Sequence, residues 1–92
     1  MGRLNGKRTI VTGGASGIGE STARLFAREG AAVAILDIND SGGRRALEEI
    51  PAEGGRGIYI RCDVTQSIEC RQAVDQVVEA FGGIDILVNG VG

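Results

Sequence analysis

Histidine and tryptophan are absent from this 92-residue sequence, and aromatic side chains make up only 3% of it. Without histidine a mixed Cys/His metal site is excluded, and Cys62 and Cys70 are too few and too loosely spaced for a thiolate centre. No metal site is expected, and both cysteines read as reduced, small apolar side chains. Charge of either sign is in little excess, with 10 basic against 12 acidic residues and a net charge of −2. That balance leaves no electrostatic footprint for nucleic acid or for an anionic membrane. No apolar run approaches the roughly 18 residues that span a bilayer, and the first residues lack the apolar centre of a secretory signal. The expectation is a soluble, cytoplasmic protein with neither nucleic acid nor membrane as a partner.

Glycine, by contrast, is abundant at 16 residues, and hydrophobic residues reach 42%. A chain of this length makes one domain at most and buries somewhat over about 60% of its unfolded surface. The glycines are most telling in Thr12-Gly13-Gly14-Ala15-Ser16-Gly17-Ile18-Gly19. An apolar run, Arg8-Thr9-Ile10-Val11, precedes this stretch, and Ile18, Thr22, Leu25 and Phe26 follow at helical spacing through Glu29. Strand, glycine turn and helix in that order suit one guest. The backbone can approach a ligand closely, and the free N–H groups and dipole of the new helix attract a phosphate or pyrophosphate.

Two phosphate templates can be tested. G-x-G-x-x-G fails from Gly13, where Ala15 and Ile18 stand in for glycines, and fails from Gly14 because of Ser16. G-x-x-x-x-G-K-[ST] fits Gly14, Gly19 and Ser21, but Glu20 replaces the lysine and would repel terminal phosphates.

Further along, strand-like runs begin near Arg8, Ala32, Gly57 and Ile84, with a helical pattern in each gap. Such alternation predicts βαβ crossovers and a parallel sheet. Gly30 should close the first helix in a left-handed cap, and Ala32 to Leu36 is a continuous apolar strand ended by Asp37. A second helix over about Ser41 to Ile50 turns Ala46, Leu47 and Ile50 inward and Arg44, Arg45, Glu48 and Glu49 outward, and stops at Pro51. The third strand is Gly57 to Cys62. Thr65 or Ser67 can cap a third helix whose apolar positions are Cys70, Ala73, Val74, Val77, Val78 and Phe81, ended by Gly82-Gly83. Ile84 to Val88 is the fourth strand.

The turn Thr12-Gly13-x-x-x-Gly17-Ile18-Gly19 resembles the nucleotide-binding turn of the short-chain dehydrogenases/reductases, and the resemblance covers roughly residues 5 to 92. It implies that Thr12, Gly13, Ser16, Gly17, Ile18 and Gly19 bind the cofactor. Asp37 stands 18 residues after Gly19, where an acidic side chain accepts hydrogen bonds from the adenosine ribose. Its charge opposes a 2′-phosphate, and neither Ser16 nor Ile38 supplies a compensating cation, so NAD is favoured over NADP. Asp63 and Val64 match the pair that holds the adenine. Asp85-Ile86-Leu87-Val88-Asn89 resembles the family's fourth strand, which normally runs into Asn-Asn-Ala-Gly. Here it runs into Asn89-Gly90-Val91-Gly92, so Asn89 keeps a cofactor role and Gly90 lines the same loop without an amide side chain.

The family's catalytic serine and Tyr-x-x-x-Lys pair have no counterpart: Tyr59, the single tyrosine, is followed four residues on by Asp63. No catalytic residue is assigned to these 92 residues. The reading is an α/β fold, a partial Rossmann-type doubly wound parallel sheet of strand order 3-2-1-4, forming the NAD-binding N-terminal part of a longer single-domain enzyme. By resemblance that enzyme moves hydride between NAD(H) and a small alcohol or carbonyl substrate and forms a homo-oligomer. A stand-alone nucleotide-binding module and a structural fragment without catalysis are the alternatives.

Overall fold

The computed structural model describes residues 2–13, 17–52 and 56–89. Four strands, β1 (Arg8–Thr12), β2 (Ala32–Asp37), β3 (Arg56–Arg61) and β4 (Ile86–Asn89), alternate with three helices, α1 (Gly17–Arg28), α2 (Asp40–Ala52) and α3 (Ser67–Phe81). The strands form one all-parallel sheet in the order β3-β2-β1-β4, the order expected from the sequence.

Alternation along β1 and β2 explains why both strands are apolar throughout. Val11, Val33 and Ile35 point to one face, where Ala23, Ala27, Ala46 and Ile50 cover them. Ile10, Ala34 and Leu36 point to the other, against Ala73 and Val77. A parallel sheet clad on both sides reads as an unbroken hydrophobic run rather than an alternating one.

Several local expectations need correction. The inward stripe of α1 is Gly19, Ala23 and Ala27, whereas Ile18 is 82% and Leu25 51% exposed. The helix lies on β1 and β2 and against α2, and that close seat admits small side chains at the expense of large ones. Helix α2 continues to Ala52, past Pro51, because a proline in a last turn forfeits one backbone hydrogen bond without having to stop the helix. Helix α3 has Gln66 at its N-cap, with no side-chain cap, in place of Thr65 or Ser67. The Thr65 hydroxyl is committed elsewhere, donating to Asp63 Oδ1 at 2.6 Å. Of the apolar positions on α3, Ala73 and Val77 are buried, but Val74 and Val78 stay exposed, as does Leu87 of β4. That flank of the sheet is uncovered among the described residues. The glycine stops are as expected: Gly30 and Gly82 have φ of +93° and +86°, and Gly82 N–H returns to the Val78 carbonyl at 2.7 Å.

The amino-terminal edge of the sheet is fastened by an ion pair. The Arg8 guanidinium donates to Asp85 through Nε at 3.0 Å and Nη2 at 3.2 Å, Arg8 N–H donates to Asp85 Oδ2 at 2.8 Å, and Asp85 N–H donates to the Arg8 carbonyl at 2.7 Å. These bonds start β4 at Ile86 instead of Ile84. They also hold the Asp85 carboxyl at about 2, well below the ordinary carboxylate range, chiefly through the Arg8 side chain. A depressed folded-state value contributes stability above the unfolded value that is lost as pH falls through the folded one. Replacing Asp85 with Asn should therefore lower the urea midpoint of the intact protein at neutral pH, and the gap to the parent should close as the pH approaches 2.

Candidate functional site

Because the strands are parallel, their carboxyl ends share one edge, and the segments leaving them meet there. Strand β1 leaves through Gly13, whose φ of +71° is in the left-handed region and whose N–H donates to the Leu36 carbonyl at 2.8 Å. Residues 14–16, and Ser16 with them, lie outside the described residues. The chain re-enters at Gly17, φ +59°, which opens α1. Among the described residues an added Cβ at Gly17 would meet nothing within 4 Å, and its positive φ asks for glycine there. Ile18 is exposed on the first turn of α1 and Gly19 is buried against the sheet.

Strand β2 ends at Asp37, half-buried between this turn and the next. Its Oδ1 accepts the Asn39 N–H at 2.9 Å, and its carbonyl accepts the Cys62 N–H at 3.0 Å and the Tyr59 hydroxyl at 2.9 Å. Ile38 next to it is exposed and uncharged. Strand β3 is followed by Asp63, whose Oδ1 accepts both the N–H and the hydroxyl of Thr65 at 3.0 and 2.6 Å, which lowers its pKa. Its own N–H donates to Glu69 Oε1 at 3.0 Å, so the turn into α3 is fixed at both ends. Gly13, Asp37, Ile38, Asp63 and Val64 line one cavity of about 270 Å³. The structure thus brings together residues from three strand ends that lie far apart in sequence.

Asn89, at the end of β4, sits opposite Thr12, and the Thr12 hydroxyl donates to Asn89 Oδ1 at 3.0 Å. Both border a second cavity of about 270 Å³ that opens between β4 and α3, with Val74 and Leu87 on its walls. Gly90 lies outside the described residues. Cys62 and Cys70 are free thiols. Burial, and after it the neighbouring Cys70 thiol, pushes Cys62 up to about 11, as befits inert side chains of the core. Among the described residues no group of side chains could hold a metal ion, and no helix is long and apolar enough to cross a membrane.

Sequence reasoning missed Tyr59. Its hydroxyl lies 2.7 Å from Asp40 Oδ1 as well as 2.9 Å from the Asp37 carbonyl, and burial followed by the Asp40 hydrogen bond pushes its pKa up to about 12. A signal was present in Gly42-Gly43: two successive glycines early in a helical pattern leave room for a close approach, and Tyr59 fills that room at Gly43.

With this geometry in place, the chain can be set beside known proteins. The sequence profile described as short chain dehydrogenase matches residues 7–92. Zerumbone synthase of Zingiber zerumbet is 47% identical over 90 residues, covering 98% of this chain and 33% of the relative. The structure of a short chain dehydrogenase from Burkholderia cenocepacia in complex with NADP superposes with a TM-score of 0.92 at 46% identity, over 98% of this chain and 37% of that one. NAD+-bound xylitol dehydrogenase superposes at 0.90 with 39% identity, over 92% and 33%. The chain therefore spans about a third of the length of these proteins. Matched over nearly its whole length in sequence and in fold, it belongs to the short-chain dehydrogenase family.

Proposed function

We propose that this chain is the NAD-binding, N-terminal part of a short-chain dehydrogenase that moves hydride between the cofactor and an alcohol or carbonyl group of a small molecule. The observation that carries the reading is the position of Asp37, which shares one cavity with Gly13, Asp63 and Val64. The residues present fit a dinucleotide. Gly13 and Gly17 with the first turn of α1 suit the pyrophosphate, and Ile18 and Gly19 belong to the same contact. Asp37 suits the ribose hydroxyls, Asp63 the adenine amino group, and Val64 the face of the ring. Thr12 and Asn89, hydrogen-bonded to each other, would flank the nicotinamide side, with Ser16 and Gly90 completing the two loops. When bound, the dinucleotide supplies the hydride donor or acceptor. The chain's own contribution is to hold it, with the glycine turn against its charge and the carboxylate against its ribose.

Relatives with NAD and with NADP in their structures both occur, so the choice of NAD rests on Asp37 and on the uncharged Ile38 beside it. A carboxylate at hydrogen-bonding distance from a ribose hydroxyl repels a phosphate in the same place. Two free cysteines support a reducing, cytoplasmic compartment.

The longer protein is inferred from the uncovered flank. Val74, Val78 and Leu87 are exposed there, Leu87 by 64%, and Val74 and Leu87 line the cavity between α3 and β4. A right-handed crossover leaving β4 for a further parallel strand would place its helix on this face. The substrate pocket, the proton-transfer residues and the surface for a homo-oligomer would then lie in the continuation.

Three outcomes test the proposal. Calorimetry of the intact protein should give tighter binding of NAD+ than of NADP+, with Asp37→Ala narrowing the difference. Gly19→Val, which puts a branched side chain on the buried face of α1 at the turn, should abolish NAD+ binding while far-UV circular dichroism keeps most of its helical signal. The 92 residues alone should show no NADH formation or consumption with a panel of alcohols and ketones. General acid–base assistance is typically worth about 10² to 10⁴ in rate, and the groups that provide it are not among them.

A further inference from the structure

The corner that carries Asp37 is braced by Tyr59 in a way that brings a second carboxylate to it. The Tyr59 hydroxyl stands 2.7 Å from Asp40 Oδ1 and 2.9 Å from the Asp37 carbonyl, so one oxygen links the first residue of α2 to the last residue of β2. Its single proton is shared between the two acceptors, of which the carboxylate is the stronger and the nearer. The ring packs against the start of α2, where a Cβ at Gly43 would collide with Tyr59 Cε1 and Cδ1. Asn39 Oδ1 accepts the Gly42 N–H at 3.0 Å and the Ser41 hydroxyl at 3.2 Å, closing the same turn from the other side. The charged groups that act on the hydroxyl are Asp40 and Asp37, which raise its pKa, and Arg61, whose opposing influence is the smallest of the three. Among the described residues no basic side chain is bonded to Asp40.

We propose that Tyr59 is a positioning residue for cofactor selection, anchoring Asp40 at the Asp37 corner so that a 2′-phosphate meets two carboxylates rather than one. The proposal rests on the reading of Asp37 as the ribose-binding residue. A phosphate carrying close to two negative charges is repelled by a carboxylate several ångströms away even in water, whereas a ribose hydroxyl is indifferent to it. Asp40 therefore acts on the discrimination between the two cofactors, and Tyr59 acts through Asp40.

The test compares the intact parent protein with Asp40→Asn, Tyr59→Phe and Asp37→Ala, measuring dissociation constants for NAD+ and NADP+ by calorimetry at low and high salt. Asp40→Asn keeps a hydrogen-bond acceptor and removes the charge. It should narrow the ratio of NADP+ to NAD+ dissociation constants by roughly three- to tenfold at low salt, and less as salt shortens the screening length to about 3 Å at 1 M. Tyr59→Phe should narrow the ratio in the same direction. A brace that served stability alone would weaken both cofactors together and leave the ratio and its salt dependence unmoved. An unchanged ratio in Asp40→Asn and Tyr59→Phe, alongside a narrowed one in Asp37→Ala, overturns the proposal and leaves the role of Asp37 standing. A parent that binds NADP+ as tightly as NAD+, or an Asp37→Ala protein with the parent's ratio, overturns both.

Discussion

The burial of β1 and β2 on both faces is the constraint on which the rest of the chain depends. Ile10, Val11, Val33 and Ile35 are each almost wholly removed from solvent, and side chains of this size contribute about 1.5–3 kcal/mol apiece on full burial. Strands buried on two faces need helices on two faces. The chain meets that need by placing α1 and α2 on one side and α3 on the other, which forces the crossover from β3 back to β4 beyond β1. The reversal of direction at β1, from β2 on one side to β4 on the other, opens the crevice where the strand ends converge.

The ion pair and the cavity of the strand ends consequently occupy opposite ends of the sheet. At the amino-terminal end the backbone is tied by Arg8 and Asp85 through four hydrogen bonds. At the carboxyl-terminal end the connections are turns that spend their polar groups on holding one another: Gly13 to Leu36, Asp37 to Asn39, Asp63 to Thr65. These local bonds set the direction of each turn.

The fold was legible in the sequence because its signals are about order and punctuation. Four apolar runs, three helical gaps and glycines at 30 and 82 place every element to within a few residues, and the resemblance of the glycine turn supplies the strand order. The place of Asp37 at the end of β2 was legible as well, since its distance from Gly19 is set by one helix and one strand. What the pattern hid depends on size and on partners. Periodicity ranks Ile18 and Leu25 above Gly19, Ala23 and Ala27, yet a helix seated closely on a sheet buries the small residues. Thr65 looked like a cap because its type caps helices, and Asp63, two residues earlier, had already taken its hydroxyl. The apolar face of α3 is broader than four strands can cover, so Val74 and Val78 point past the edge of the sheet they were expected to meet. The hydrogen bonds of Tyr59 were hidden for a related reason: its partners are 19 and 22 residues away, brought within reach only when β3 pairs with β2.

The register of β4 shows how the two ends of the sheet are nevertheless coupled. Pairing of Thr9 with Ile86 brings Asn89 opposite Thr12, and it is this alignment that lets the Thr12 hydroxyl reach the Asn89 side chain. A slip of one residue would exchange the two faces of β4, moving Leu87 from the α3 side to the side of α1 and Val88 the other way. Packing opposes the slip only weakly, because Leu87 is largely exposed and Val88 is the one β4 residue packed against the α1 side of the core. The Arg8–Asp85 pair supplies what packing lacks: its charges meet in a single register, and the backbone bonds between the same two residues admit no other. An ion pair at the surface contributes little to stability as such. Here its larger consequence is positional, since it determines at one end of β4 which side chain arrives beside the glycine turn at the other.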